Sequence, residues 1–164
     1  MTEQKHHSPG KILAAATLVC ATGLIATWEG MRTKAYPDIV GVWTICNGYT
    51  HGVKPGDVKT PVQCEGLLHS EIAKVDAALT RCGIPEDDIG PRAAAISLAY
   101  NVGYPAVCRS TFARMLRAGD IPGACNQLKR WAYAKGKWQK GLANRREAER
   151  KVCLTPNSVF LPMP

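Results

Sequence analysis

The chain lacks any pair of cysteines close enough to share a metal or to cycle between dithiol and disulfide. Its seven cysteines stand at positions 20, 46, 64, 82, 108, 125 and 153, never closer than 17 residues apart. That spacing excludes a zinc ribbon and a C-x-x-C redox centre, so neither a metal nor a cofactor is expected. Aromatic residues make up only 7 % and include no recognition motif or base-stacking platform, so no nucleic-acid partner is expected. No internal repeat is visible, which excludes a solenoid. The N-terminal apolar run, Ile12–Trp28, holds 17 uncharged residues. At ~1.5 Å per residue it spans about 25 Å, short of a hydrocarbon core of about 30 Å. Acidic residues are scarce in the second half: Asn101–Lys151 carries twelve Lys and Arg against Asp120, Glu147 and Glu149.

What is present is one domain's worth of chain. The 164 residues are 46 % apolar and 21 % charged, a globular balance that excludes wholesale disorder. A chain of this length buries roughly two-thirds of its unfolded surface and needs no metal or disulfide merely to fold. The net charge is +8, of which the basic half contributes +9 and the remainder −1. Such a half attracts an anionic partner, whether nucleic acid, membrane surface or acidic polymer, and composition does not choose among them. Seven dispersed cysteines point to disulfides and an oxidising compartment. The alternative is a set of buried thiols acting as small hydrophobes.

Ten of the residues in Ile12–Trp28 are Ala, Gly, Thr or Cys, so membrane insertion by this run would be weak. It reads as a membrane anchor oriented by Lys5 and Lys11, as a cleavable signal around Val19-Cys20-Ala21, or as the first helix of a soluble domain. A lipoprotein signal is disfavoured by Val19 before Cys20. Export in some form is the expectation. The segmentation is a polar tail over 1–11, this segment over 12–28, a main domain over 29–154 and an irregular tail over 155–164, with Pro156, Pro162 and Pro164.

Tyr36–Thr50 is rich in β-branched, aromatic and glycine residues with turn signals at Pro37-Asp38 and Asn47-Gly48, which predicts a short antiparallel ribbon. Thr60-Pro61-Val62-Gln63 is a capping box with proline at the first helical position. The helix it opens should run to Arg81 with Leu68, Ile72, Val75 and Leu79 on one face. Ile84–Gly90 reads as a loop. Shorter helices are predicted over roughly 91–103, 109–118, 120–134 and 142–153. One ribbon followed by many helices predicts an α+β fold.

Glu29 follows an apolar helix, where Ile25 and Trp28 would desolvate its carboxyl and keep a proton available. Asp38 sits at a more solvated turn. Two carboxyl groups in contrasting environments suit glycosidic-bond cleavage, one protonating the leaving oxygen and the other activating water. Thr44 offers a hydroxyl to orient that water. On spacing alone the pair reads equally as a surface glutamate and a turn aspartate.

The order Glu29, Asp38, Thr44, with Glu29-Gly30 and Gly41-Val42-Trp43-Thr44 in place, resembles the bacteriophage lysozymes (endolysins) of glycoside hydrolase family 24. The likeness extends through Tyr100-Asn101-Val102-Gly103, Arg109-Ser110-Thr111, Gly123-Ala124-Cys125, Arg130-Trp131 and Gly141-Leu142-Ala143-Asn144-Arg145-Arg146 to Glu149 and Cys153-Leu154. It covers about Gly23 to Leu154. The resemblance implies a lysozyme-like architecture, with a small β-ribbon lobe and a larger helical lobe joined by the long helix, and a cleft between them. It implies a monomeric muramidase acting on peptidoglycan, with Glu29 as general acid and Asp38 and Thr44 holding the water that inverts the sugar. Arg145 would face Glu29, orienting it while favouring its ionised form. Tyr100, Asn101 and Ser110 match cleft positions, although helix packing or capping explains them equally. One departure is Cys46-Asn47-Gly48-Tyr49, where many family members carry glycine after Trp-Thr-Ile and a histidine near the place of Tyr49.

Ile12–Trp28 is similar to signal-anchor-release segments, which Sec inserts in the bacterial inner membrane and which later free the enzyme into the periplasm. Family-like positions imply disulfides Cys46–Cys64, Cys82–Cys108 and Cys125–Cys153. Cys20 is then left as a packed thiol or as an exchange partner for Cys46. The contrasting reading is a cationic membrane-active lysis protein that acts without catalysis.

Overall fold

The computed structural model describes residues 9–38 and 40–160. Helix α1 (Pro9–Glu29) leads into a ribbon of β1 (Arg32–Pro37) and β2 (Trp43–Cys46), then α2 (Pro61–Arg81) and α3 (Ile89–Val102). The rest comprises α4 (Tyr104–Cys108), α5 (Thr111–Arg117), α6 (Ile121–Gln127) and a 3-10 turn (Leu128–Trp131). A hairpin of β3 (Tyr133–Ala134) and β4 (Lys137–Trp138) precedes α7 (Lys140–Cys153) and α8 (Asn157–Phe160).

Two cores of unequal size make this an α+β molecule with two lobes. The larger centres on α3, whose residues from Ile89 to Ala99 are all buried. The run Ala93-Ala94-Ala95 lets neighbouring helices approach closely, and α1, α2, α4 and α7 pack around it. Gly90 marks the tightest approach: a Cβ there would lie 2.4 Å from the Val152 carbonyl oxygen of α7. The smaller core gathers Ile45, Cys46 and Cys64 beneath Ala35, Tyr49, Val53 and Leu67.

Helix α2 joins the lobes. Its capping box forms as predicted, the Thr60 hydroxyl accepting the Gln63 N–H and the Gln63 side chain accepting the Thr60 N–H. Leu67 serves the small core, while Leu68, Ile72 and Leu79 serve the large one. Near its C-terminal end, buried Arg92 of α3 donates to the Asp76 carboxylate, the Asp76 carbonyl, the Thr80 hydroxyl and the Ile84 carbonyl. Disulfides connect Cys46 to Cys64, Cys82 to Cys108 and Cys125 to Cys153, the pairs the resemblance implies. Cys20 is free and half-buried in α1.

Several boundaries differ from expectation. The first helix extends over 21 residues, Pro9–Glu29, rather than 17. At ~1.5 Å per residue its length is about 31 Å, enough for a hydrocarbon core. Lys5 lies outside the described residues. The ribbon begins at Arg32, four residues early, where Arg32 pairs with Cys46, and β-branched Val40 and Val42 belong instead to the exposed turn. The predicted loop 84–90 yields to α3 at Ile89. The predicted helix 109–118 is α5, which starts at Thr111 under the Ser110 hydroxyl cap, and the short α4 before it falls between two predicted helices. The predicted helix 120–134 stops at Gln127, and the chain passes through the 3-10 turn into the β3–β4 hairpin. Lys135 and Gly136 turn that hairpin with φ of +50° and +73°, the left-handed pair a two-residue turn requires. The predicted irregular tail contains α8, tied down by the Asn157 side chain accepting the Ile89 N–H. Pro162 and Pro164 lie outside the described residues.

Candidate active site

Glu29 is the last residue of α1, and Gly30 ends that helix at φ +66°. A carboxylate there meets the negative end of the helix dipole, an arrangement that requires a positive partner. Arg145 of α7 supplies it: its Nη1 donates to Glu29 Oε1 at 2.6 Å. Arg145 is buried, and the Glu29 side chain is 22 % exposed. The apolar pocket expected around Glu29 is thus only partly present. Ile25 is buried one turn earlier and Trp28 is half-buried, but the contact at the carboxylate itself is ionic.

Asp38 closes the turn between β1 and β2. Its Oδ1 accepts the N–H groups of Val40 and Val42 at 2.9 and 2.8 Å, which fixes the carboxylate on the ribbon. Thr44 stands on β2 opposite Tyr36 and is buried. Its hydroxyl donates to the Val42 carbonyl at 3.0 Å, leaving the oxygen free to accept a hydrogen bond. Asp38 and Thr44 are therefore rigidly placed by one turn.

The loop after β2 reaches back to Glu29. A Cβ on Gly48 would lie 3.7 Å from Glu29 Oε2, so only glycine leaves this side of the carboxylate uncovered. The buried Asn47 side chain donates to the Gly30 carbonyl, and the Asn47 carbonyl accepts the Tyr100 hydroxyl at 2.7 Å. Burial, reinforced by the Glu29 and Glu71 carboxylates and opposed by Arg145, pushes Tyr100 up to about 12. Tyr100 also lines a groove of about 220 Å³ with Tyr49, His51, Glu71 and Tyr104. Tyr49 pairs through its backbone with Ile45 and meets His51 edge-on.

Of the remaining cleft candidates, Asn101 is exposed on the last turn of α3. Ser110 performs the capping role, accepting the Ala113 N–H and donating to the Val107 carbonyl. It lines a separate depression with Gln127, Arg130 and Trp131. Cys20 packs against the large core, and burial pushes its thiol up, which lowers the thiolate fraction needed for exchange with Cys46. Among the described residues no cluster of His, Cys, Asp and Glu is arranged to hold a metal.

Behind Arg145 stand Arg146 and Glu149, which the sequence marks only as part of the resemblance and without a role. Glu149 is fully buried and accepts from the Ser97 hydroxyl at 2.7 Å, Arg145 Nε at 3.3 Å and Arg146 Nη2 at 2.9 Å. The spacing of Arg145 and Arg146 from Glu149, four and three residues, is the pairing periodicity of a helix and was the available signal. Asn47 belongs in the sequence to a turn signal and to the departing stretch Cys46–Tyr49, neither of which points to its contact with Gly30.

A ribbon lobe set against a helical lobe, with a paired carboxylate at the helix end between them, is the lysozyme class of fold. The crystal structure of the active form of P1 phage endolysin Lyz shares it with a TM-score of 0.73 at 23 % identity, covering 95 % of this chain and 98 % of that one. The chain belongs to the phage lysozyme family, whose model matches residues 26–149. It is 42 % identical over 151 residues to the SAR-endolysin of Bacteriophage PS119, covering 90 % of this chain and 89 % of that protein. It is also 42 % identical to the SAR-endolysin of Enterobacteria phage P21, covering 88 % of each.

Proposed function

We propose that this protein is a phage endolysin that hydrolyses the β-1,4 bond between N-acetylmuramic acid and N-acetylglucosamine in peptidoglycan. Glu29 is the general acid that protonates the leaving oxygen. Asp38 and Thr44 position the water that attacks the opposite face of the sugar, giving inversion. The observation that carries this reading is the Glu29 carboxylate held 2.6 Å from buried Arg145, beside Gly48 of the groove that Tyr100 lines, in a chain of the phage lysozyme family. Asp38, immobilised by two backbone N–H groups, suits a residue that must hold water in one place. Tyr100 and Asn101 contact the glycan, and Ser110 shapes the neighbouring depression.

The enzyme acts as a monomer with no cofactor. Its α1 segment is first inserted by Sec in the bacterial inner membrane and later leaves it, so that the enzyme works in the periplasm. Helix α1 supports this reading: it is long and apolar enough to cross a membrane, and Ile12 and Val19 remain exposed on its surface.

Release of reducing sugar from purified peptidoglycan by wild type and by Glu29→Gln tests the chemistry. Losing a general acid should cost at least about 100-fold in a folded variant. Equal activity in both would overturn the assignment of Glu29. A second reading, membrane disruption without catalysis, draws on the exposed hairpin with Tyr133, Trp138, Lys135 and Lys137. Lysis of intact cells by both proteins, without new reducing ends from either, would favour it.

A further inference from the structure

Arg145 sits between two carboxylates. Toward the groove, its Nη1 meets Glu29 at 2.6 Å; toward the core, its Nε meets Glu149 at 3.3 Å, and its Nη2 reaches the Ser97 carbonyl at 3.4 Å. Glu149 is held in turn by Arg146, whose Nε lies 2.9 Å from Oε2 and whose Nη2 lies 2.9 Å from Oε1. Neither Glu149 nor Arg146 has any exposed surface. Burial raises the Glu149 carboxyl on balance, against the opposing pull of Arg146, Ser97 and Arg145. With three hydrogen bonds on Oε1 and two guanidinium groups against it, it is read as the carboxylate.

We infer that Glu149 is a positioning residue for the hydrolysis: a buried counter-charge that fixes Arg145 and shares its positive charge, so that Arg145 aims Glu29 without locking it as a carboxylate. The inference rests on the reading of Glu29 as general acid. An arginine at 2.6 Å with no second carboxylate would hold Glu29 ionised, and an ionised group has no proton to give. The charged and titratable groups facing Glu29 are Arg145 and, behind it, Arg146 from α7, and Tyr100 from α3. With Glu149 ionised, the three α7 groups present +1 to Glu29; without it they present +2. Burying a carboxylate away from water is costly, and a purely structural tie between α7 and α3 would be served as well by apolar packing. The role here is electrostatic.

Glu149→Gln keeps shape and hydrogen-bonding capacity and removes the charge. Its expected signature is in the pH dependence of kcat/KM on peptidoglycan: the alkaline limb, where the acid loses its proton, moves down by about one pH unit. KM should change little, since Glu149 touches no substrate. Removing the second positive charge as well, in Glu149→Gln with Arg146→Gln, restores +1 and returns the limb toward its wild-type position. A folded Glu149→Gln enzyme that is slower at every pH with an unmoved limb would overturn the inference and leave a structural tie only. Should Glu149→Gln fail to fold, Arg146→Gln alone must move the limb upward, because Glu149 then neutralises Arg145 more completely; an unmoved limb there overturns it equally. Full activity of Glu29→Gln would instead sink the underlying reading of the acid, so the two failures are distinguishable.

Discussion

Cys46 occupies a backbone conformation that an L-residue adopts reluctantly, with φ of +58°. Glycine would enter this left-handed region freely. Here the residue is a cysteine because it closes an 18-residue separation to Cys64, tying β2 to the first turn of α2. Two opposing energies can be separated by mutation. The loop-closure model assigns a disulfide of this span about 3 kcal/mol. The left-handed conformation costs an L-residue roughly 1–2 kcal/mol, partly offset for glycine by its larger unfolded-state entropy. Cys46→Ala with Cys64→Ala should therefore lose about 3 kcal/mol, and Cys46→Gly with Cys64→Ala about 2 kcal/mol. Both variants lack the disulfide, so their difference isolates the backbone. With a urea slope of about 2 kcal/mol/M, the glycine variant should unfold at a midpoint about 0.5 M higher than the alanine variant. A glycine variant no more stable than the alanine variant would refute the argument. It would mean that the chain relaxes at residue 46 once the bridge is gone.

Gly90→Ala should destabilise by about 2–3 kcal/mol, because its Cβ would meet three backbone carbonyls and helices α3 and α7 must part to admit it. Urea unfolding is the check, and a loss below about 0.5 kcal/mol would contradict the close approach. Tyr100 has a distinct spectroscopic consequence: its value of about 12 means that it stays protonated at pH 11, where ordinary tyrosines near 10 are ionised. Wild type and Tyr100→Phe should then show nearly equal tyrosinate absorbance at pH 11, and a deficit of one full tyrosinate in the variant would refute the shift. Its folded value is raised, so the stability gained by burying neutral Tyr100 is complete below pH about 10 and lost as pH rises toward about 12. The pH dependence of unfolding in that window should shrink in Tyr100→Phe.

What the sequence discloses depends on whether the signal is local. Helix α2 is legible at its start because its capping box and first-turn proline are contiguous, and its end near Arg81 follows from the apolar face of Leu68, Ile72, Val75 and Leu79. The α+β class follows from one ribbon preceding many helices. The hairpin at 133–138 escapes because its strands are two residues each, too short for alternation to register, and Tyr133 reads as the end of a helix over 120–134. At the candidate site, Glu29, Asp38 and Thr44 stand out only through the resemblance, because spacing alone reads equally as a surface glutamate and a turn aspartate. The pairing of Glu29 with Arg145 spans 116 residues and was suggested by resemblance alone. Asn47 is marked locally only as a turn and Ser97 not at all, since their roles lie in partners 17 and 52 residues away.

Helix α1 shows how one sequence can serve two solvents. A helix apolar on every side is ordinarily a buried core element or a membrane span. Here it lies on the surface of the large lobe, and its buried residues, Thr17, Ala21 and Ile25, form a single row at intervals of four. Small residues in that row allow close contact with the alanines of α3, so the helix docks through shape with little apolar area. Val19, 73 % exposed, and Ile12 contribute nothing to that docking, yet they would be at home among lipid chains. Because Glu29 is the last residue of the same helix, its alignment with Arg145 is inherited from the docking of the row above it. Under the proposed passage from membrane to periplasm, the event that frees the enzyme is then also the event that brings the acid to its arginine.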